Sequence, residues 1–212
     1  LPTGGGKTRT ACGFVLRRLG EQVRTLWLAH RVELVTQAIA TFAEASSEAI
    51  RRFDIGRYDA QAKARTPVDV LVASIPTLAR RSSGSLPSLQ SVLEEQQRFH
   101  LVVVDECHHG AASSWAQLIE ELQRRGARVL GLSATPTRTA SKEAKRLWKI
   151  FGQVVYEEPL LELIRHKVLS RPRPFAISTR CAYQASDKER KDFESFGDLP
   201  TSLIQRISDD IF

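Results

Sequence analysis

The 212-residue sequence contains no methionine and no long apolar run, and it has only three cysteines. No uninterrupted apolar run approaches the roughly 18 residues of a membrane-spanning helix, which argues against a membrane protein. Three widely spaced thiols cannot all pair, so we expect free cysteines in a reducing cytoplasm and no disulfide scaffold. These cysteines are Cys12, Cys107 and Cys181. Because the sequence starts without methionine and inside a glycine-rich motif, we expect it to be an excerpt from a longer protein.

Acidic residues are outnumbered, with 24 Asp and Glu against 31 Lys and Arg, and the formal net charge is +7. The excess lies in residues 1–170, because residues 171–212 hold seven residues of each sign. A basic surface attracts polyanions, since each neutralised phosphate releases condensed counterions. Charge alone is equally compatible with a solvated basic surface, so the partner must be inferred from motifs.

Four short apolar runs rich in Val and Leu have the length of buried strands. They cover residues 23–29, 69–74, 100–104 and 128–133. Between them, apolar residues at helical spacing predict helices. One such face carries Leu34, Val35, Ala38, Ile39 and Phe42, and another carries Leu89, Val92 and Leu93. The alternation predicts an α/β fold with a mainly parallel sheet flanked by helices, and ligands beyond the carboxyl ends of the strands.

Local signals predict where further helices begin and end. Ser114 and Gln117 form a capping-box pattern around Trp115, and Gly126 is suited to the left-handed position after the helix. Pro76 suits the first turn of another helix. A helix therefore follows directly after the acidic motif described below.

Two segments are rich in residues that interrupt regular structure. Residues 81–88 predict a turn-rich loop, and residues 170–174 cannot continue a helix or a central strand. We place a domain boundary near residue 170. Residues 1–170 then form one domain, and residues 171–212 form a linker or the start of a second domain.

Residues 1–8, Leu-Pro-Thr-Gly-Gly-Gly-Lys-Thr, have the composition of a phosphate-binding loop. Successive glycines permit backbone angles at which N–H groups converge on phosphate oxygens. These glycines are Gly4, Gly5 and Gly6. Lys7 would contact the β- and γ-phosphates of ATP, and the Thr8 hydroxyl would ligate Mg²⁺. The strict pattern has Gly where this chain has Leu1, and a glycine-rich turn without phosphate is the alternative interpretation.

A hydrophobic run at residues 101–104 leads directly into Asp105 and Glu106. Carboxylates at the end of a buried strand are costly unless a cation lies there, and Mg²⁺ is the expected cation. Asp105 would hold the metal, and Glu106 would orient and deprotonate the attacking water. The alternative is a pair of solvated turn residues.

Cys107, His108 and His109 follow these acids and are potential zinc ligands. Three consecutive residues cannot easily converge on one tetrahedral ion, and no Cys-x-x-Cys partner lies nearby. Hydrogen bonding is the better interpretation. His108 could sense the γ-phosphate or couple to the segment from Ser133 to Thr135.

The motifs LPTGGGKT (1–8), AHR (29–31), DECHH (105–109) and SATPT (133–137), in this order, resemble the first motor domain of a DExH-type superfamily 2 helicase. The likeness covers roughly residues 1–170. Residues 28–34, Leu-Ala-His-Arg-Val-Glu-Leu, and the DECHH motif are most similar to the branch of restriction-system ATPase subunits (Res-like) and related DNA-repair helicases.

The resemblance implies an N-terminally truncated, RecA-like P-loop domain that binds and hydrolyses ATP with Mg²⁺ and transmits the change through Ser133 and Thr135. Nucleic acid, expected to be DNA, would cross the opposite surface and be held by its sugar-phosphate backbone. The residues implied in this contact are His30, Arg31 and Thr77. Each of them also has a plain structural interpretation as a polar residue at the end of a strand or in a turn.

Two departures limit the resemblance. No second RecA-like domain fits after residue 170 to supply the arginines that complete the ATP site, and the adenine-recognising segment that normally precedes the first motif is missing. The missing arginine contribution is worth roughly 10³-fold or more. We therefore expect the isolated chain to bind nucleotide incompletely and hydrolyse it slowly.

The sequence leaves other functions open. A nucleotide-gated module that clamps nucleic acid without productive turnover is an alternative, although both acids needed for turnover, Asp105 and Glu106, are present. A P-loop kinase or transporter ATPase would need acceptor-binding or signature motifs that are not found. The leading hypothesis remains an ATP-dependent motor that translocates on or unwinds DNA together with a second RecA-like domain.

Overall fold

The computed structural model describes most of the region that carries the motifs. The described residues are 1–19, 23–47, 52–64, 66–80, 85–108, 113–135, 141–173, 186–187 and 189–190. Cys181, His109, Pro136 and most of the segment after residue 173 lie outside this part, and so does nearly all of the predicted linker.

Five short strands rich in apolar residues form the centre of the domain. They are β1 (Thr25–Ala29), β2 (Ile55–Tyr58), β3 (Val70–Ser74), β4 (Leu101–Val104) and β5 (Arg128–Gly131). Every residue of β1, β3 and β4 is buried, as expected for strands covered on both faces. The four predicted runs are therefore confirmed, each within a few residues.

The strands form one sheet in the order β2-β3-β1-β4-β5, and each neighbouring pair is parallel. The register places Leu28 opposite Ala73 on one side and opposite Val104 on the other. All five carboxyl ends therefore lie at one edge of the sheet, termed the carboxyl edge below. The predicted parallel sheet is confirmed.

Seven helices are present among the described residues, and most connect consecutive strands. They are α1 (Lys7–Leu19), α2 (Val32–Ser47), α3 (Ile75–Leu78), α4 (Pro87–Gln96), α5 (Ser113–Arg124), α6 (Ser141–Phe151) and α7 (Leu160–Arg165). Helices α1 and α2 cover one face of the sheet, where Trp27 meets Phe42 edge to face at 5.3 Å. Helices α3 to α6 contribute to the core on the other face.

Two local details differ from the sequence predictions, and a third agrees with them. Helix α4 begins at Pro87, inside the segment predicted as a loop, because proline is well placed in a first helical turn. Helix α5 begins at Ser113, so Ser114 lies inside the helix and does not cap it. Gly126 does adopt the predicted left-handed conformation, with φ of +86°.

Strand β2 was not predicted, because its sequence Ile-Gly-Arg-Tyr lacks a continuous apolar run. Gly56 is required there by close packing, since a Cβ atom would lie 2.9 Å from Ala64 and 3.1 Å from Val68. Arg57 of β2 forms an ion pair at 2.7 Å with Asp59, which follows the strand and is fully buried. This pair anchors the turn that follows β2.

No helix in the described part of the chain is both long and apolar enough to cross a membrane. The proposed domain boundary near residue 170 stays a prediction. Helix α7 ends before it, and residues 170–173 continue without regular structure.

Candidate functional site

The glycine-rich loop at residues 1–6 leads directly into α1, as predicted. Gly4 and Gly6 both have φ of +78°, a region that residues with a Cβ atom resist. The amide of Gly5 donates to the carbonyl of Pro2 at 3.0 Å, and the amide of Thr10 donates to Gly6 at 2.9 Å. Lys7 and Thr8 thus occupy the first turn of α1, where free N–H groups favour an anion.

Helix α7 and the turn after it pack behind this loop. A Cβ atom on Gly5 would lie 2.9 Å from a Leu163 methyl group, and one on Gly4 would lie 3.1 Å from Leu169. Leu163 is itself buried. The glycines are therefore needed for close packing against α7 as well as for their backbone angles, a constraint that the sequence did not reveal.

Asp105 directly follows β4 at the carboxyl edge, and its backbone amide donates to the carbonyl of Leu28 at 2.9 Å. Its carboxyl group is 4% exposed, and this burial raises its pKa. A hydrogen bond from the Glu106 amide, at 3.0 Å, and the charge of Lys7 lower the pKa again, whereas the charge of Glu106 raises it. The positive charge of Lys7 is therefore close enough to Asp105 to influence its ionisation.

Glu106 and His108 form the next part of the site. Glu106 has a left-handed backbone with φ of 48°, uncommon for a residue with a side chain. Its carboxylate Oε2 lies 3.3 Å from Nδ1 of His108, and the same Nδ1 lies 3.1 Å from Oγ of Ser133. The imidazole thus bridges the second acid and the segment after β5.

The segment after β5 is held against the acidic motif by its backbone as well. The amide of Cys107 donates to the carbonyl of Leu132 at 2.8 Å, and the amide of Thr135 donates to Oγ of Ser133 at 3.0 Å. One continuous set of contacts therefore joins Glu106, His108, Ser133 and Thr135. The predicted contact between His108 and Ser133 is present.

The thiol of Cys107 is poorly suited to metal chemistry. Burial raises the pKa of Cys107 to about 12, with further contributions from Glu106 and Asp105, and a thiolate is the form that binds zinc. Among the described residues no group of three His, Cys, Asp or Glu side chains is placed to hold a metal. His109 lies outside the described residues. Cys12 is also buried, with a pKa raised to about 12.

The donors expected to hold Mg²⁺ are the Thr8 hydroxyl and the Asp105 carboxylate. Both are oxygen donors, the type that Mg²⁺ takes in proteins. A buried carboxylate with a raised pKa lacks a full set of compensating charges, so a divalent cation beside it would stabilise the ionised form. These residues therefore fit the implied metal.

His30 and Arg31 follow β1 at the carboxyl edge, immediately before α2. Arg31 is exposed, and its carbonyl accepts the amide of Val35 in the first turn of the helix. Thr77 lies in the short helix α3 after β3, with Pro76 in its first turn, as predicted. The structure places these three residues on the same edge as the acids, over β1 and β3, and not on an opposite surface.

Two features of the site were missed by sequence reasoning. Trp115, in the first turn of α5, contacts His30, with ring centroids 5.9 Å apart. A groove of about 240 Å³ lies beside the site, bordered by Pro2, His108 and Ser133 and by the apolar segment around Val155. Neither feature has a local sequence signal, because each depends on residues distant in the chain.

The chain is similar to proteins of a known family. Residues 1–138 match the family described as "Type III restriction enzyme, res subunit". A Saccharomyces cerevisiae protein named "Putative ATP-dependent helicase IRC3" is 31% identical over 206 residues, covering 92% of this chain and 28% of that protein. A Schizosaccharomyces pombe protein named "Putative mitochondrial ATP-dependent helicase irc3" is 30% identical over 186 residues, covering 84% of this chain and 28% of that protein.

Solved structures share the fold. The Hef helicase domain of Pyrococcus furiosus superposes with a TM-score of 0.52 at 22% identity, over 72% of this chain and 32% of that one. A nuclease-deletion mutant of the Type ISP restriction-modification enzyme LlaGI, in complex with a DNA substrate mimic, superposes with a TM-score of 0.53 at 14% identity. The match covers 79% of this chain and 18% of that one. The expected RecA-like fold is confirmed, and the chain spans about 28% of the two yeast relatives.

Proposed function

Because this chain belongs to the Type III restriction enzyme res subunit family, as a RecA-like domain of the superfamily 2 helicases, we propose that it is the ATP-binding motor domain of a DNA-dependent ATPase. The longer protein would translocate on or unwind DNA. The observation that carries this proposal is the cluster in which His108 contacts both Glu106 and Ser133, next to the buried Asp105 on which the charge of Lys7 acts.

Each group in the cluster has a role that its position supports. The N–H groups of the glycine loop and Lys7 would bind the phosphates of ATP, and Thr8 and Asp105 would hold Mg²⁺. The metal would neutralise charge on the phosphates. Glu106 orients the attacking water and takes its proton, and its contact with His108 keeps the carboxylate in place.

The contacts from His108 through Ser133 to Thr135 suit a second role, communication. A change in charge at the γ-phosphate alters the environment of Glu106 and His108, and the Ser133 hydroxyl carries this change into the segment after β5. We propose that this segment, together with residues 171–212, leads to a second RecA-like domain. Arginines from that domain would complete the site.

Nucleic acid would bind over β1 and β3, where His30, Arg31 and Thr77 lie. Arg31 is exposed and cationic, and the chain carries a net charge of +7. Contacts of this kind grip phosphates and carry no sequence information, as a moving motor requires. The LlaGI enzyme, which shares the fold, was solved in complex with a DNA substrate mimic, and this favours DNA over RNA. The cytoplasmic location stays a prediction, since the S. pombe relative is named mitochondrial.

The test is ATP hydrolysis by the full-length protein, measured with and without single-stranded and double-stranded DNA. The proposal predicts Mg²⁺-dependent turnover that DNA stimulates, and slow turnover by residues 1–212 alone. Absence of stimulation, with nucleotide still bound, would favour the alternative, a nucleotide-gated clamp without productive turnover. Absence of nucleotide binding by the full-length protein would refute both.

A further inference from the structure

Trp115 occupies a position that neither the phosphate-binding nor the nucleic-acid-binding motifs explain. It lies in the first turn of α5, the helix that follows the acidic motif, and it is half-buried against the core beneath that helix. Its indole contacts the imidazole of His30, with centroids 5.9 Å apart and ring planes inclined by 42°. The contact joins residues 85 positions apart in the chain.

The sheet explains why this contact spans two functional regions. Strands β1 and β4 are parallel neighbours, with Leu28 opposite Val104, so His30 and Asp105 leave the carboxyl edge side by side. The chain passes from Asp105 through the acidic motif into α5, and Trp115 then reaches back to His30. One end of this segment lies in the nucleotide site and the other lies on the nucleic-acid side.

Helix α5 is also held near its C-terminal end. Near its end, Gln123 donates to the carbonyl of Ile150 in α6 at 2.9 Å, and Leu122 is buried. At the other end of the acidic motif, the Cys107 amide is bonded to Leu132. A displacement of His30 would therefore act on the first turn of α5, the helix that follows the acidic motif in the chain.

We propose that Trp115 is a positioning residue that couples DNA binding at His30 to ATP hydrolysis at Asp105 and Glu106. The proposal rests on the proposed function, since it requires both activities. When DNA phosphate contacts His30, the imidazole changes position against the indole. Trp115 transfers this change to the start of α5 and so to the segment that carries Glu106. The simpler alternative is that Trp115 only fills space between α5 and the sheet.

The test compares Trp115→Leu and Trp115→Phe in the full-length protein, with Phe14→Leu as a control. Phe14 is an aromatic residue on α1 that is 41% exposed. ATP turnover is measured without DNA and with saturating oligothymidylate, together with the KM for ATP and the melting temperature. Substitution of a coupling residue typically changes the ratio of DNA-stimulated to basal turnover about 3- to 30-fold.

The expected result is a loss of DNA stimulation of about tenfold in Trp115→Leu, with basal turnover and KM for ATP unchanged. Trp115→Phe should recover much of the stimulation because it retains a ring, and Phe14→Leu should match the wild type. A filler role instead predicts a lower melting temperature with basal and stimulated turnover reduced alike, and that result would overturn the proposal.

A double-mutant cycle separates coupling from misfolding. If Trp115 acts through His30, then Trp115→Leu, which lowers stimulation in the wild-type background, should lower it little further in a His30→Ala background. Full additivity of the two substitutions would contradict the proposal. If Trp115→Leu does not fold, the smaller loss in Trp115→Phe is compared between the two backgrounds, and an equal loss in both would contradict the proposal. Failure of the proposed function is visible separately, because the wild-type protein would then show no stimulation by DNA.

Discussion

The two halves of the carboxyl edge differ in how their polar groups are held. Over β4 and β5, Asp105 is buried, and His108 contacts both Glu106 and Ser133 within 3.3 Å. Over β1, Arg31 is exposed to solvent. A site that makes and breaks bonds needs fixed, desolvated groups, whereas a surface that grips and releases a backbone needs accessible charge. Substitutions in the two halves should therefore have different signatures.

The largest effect is expected on the buried side, for Glu106→Gln in the full-length protein. Removing the group that takes the proton should lower DNA-stimulated turnover roughly 10²- to 10⁴-fold while ATP binding is retained. Turnover and equilibrium binding of a fluorescent ATP analogue provide the measurements. Glu44→Gln, at a solvent-exposed acid on α2, should behave as the wild type. Unchanged turnover in Glu106→Gln would contradict the catalytic assignment.

A smaller effect is expected for Ser133→Ala, which breaks the contact to His108 and the cap on the Thr135 amide. The loss of one such hydrogen bond corresponds to roughly tenfold in rate. Stimulated turnover should fall by this factor, with the KM for ATP almost unchanged. Ser46→Ala, at an exposed hydroxyl on α2, is the control. An equal loss in both variants would show that the Ser133 contact does not carry the coupling.

On the open side, Arg31→Ala should weaken binding of single-stranded DNA and leave nucleotide binding unchanged. The slope of log affinity against log salt should decrease by about 1, as expected for one lost phosphate contact. Fluorescence anisotropy of labelled oligothymidylate over a salt series measures this slope. Arg9→Ala removes another exposed cation, on α1, and should leave the slope unchanged. The same slope in wild type and Arg31→Ala would exclude Arg31 from the interface.

The smallest effect concerns stability. Burial raises the pKa of Asp105 in the folded state above its unfolded value, so folding favours the protonated carboxyl. The free energy of unfolding therefore decreases as pH rises from the unfolded pKa through the folded pKa, and at neutral pH the ionised group is destabilising. Asp105→Asn should therefore raise the melting temperature of the nucleotide-free domain at neutral pH.

Thermal melting between acidic and neutral pH checks this expectation, with Glu44→Gln as a variant that should not change the curve. The gain from Asp105→Asn should shrink as the pH falls towards the unfolded pKa. A lower melting temperature for Asp105→Asn at neutral pH would show that the ionised carboxylate stabilises the domain without nucleotide.

Much of the fold could be predicted from sequence because its signals are local. The buried strands β1, β3 and β4 are continuous apolar runs, and the helix after the phosphate loop is set by Gly6 and Lys7. Strand β2 was not predicted because Gly56 and Arg57 interrupt the apolar pattern of the strand. The close packing of Ala64 explains the glycine at that position. The start of helix α4 was not predicted because its first turn lies in a Ser- and Pro-rich segment.

The site could be predicted only in part. Residue types and spacing predicted a site at Lys7, Asp105 and Glu106, because a lysine after a glycine-rich loop and two acids after a buried strand suit phosphate and metal. The close packing of Leu163 against Gly5 and the contact of Trp115 with His30 depend on tertiary packing between residues distant in the chain. Local patterns do not carry such information. The roles assigned to the site residues stay predictions until they are measured.

The most direct test is a crystal structure of the domain with Mg²⁺ and a non-hydrolysable ATP analogue. The account predicts Lys7 at the β- and γ-phosphates, Asp105 beside the metal and Glu106 facing the γ-phosphate, all around one nucleotide. A nucleotide bound elsewhere, or one that contacts Lys7 while Asp105 and Glu106 face away from it, would contradict the central claim.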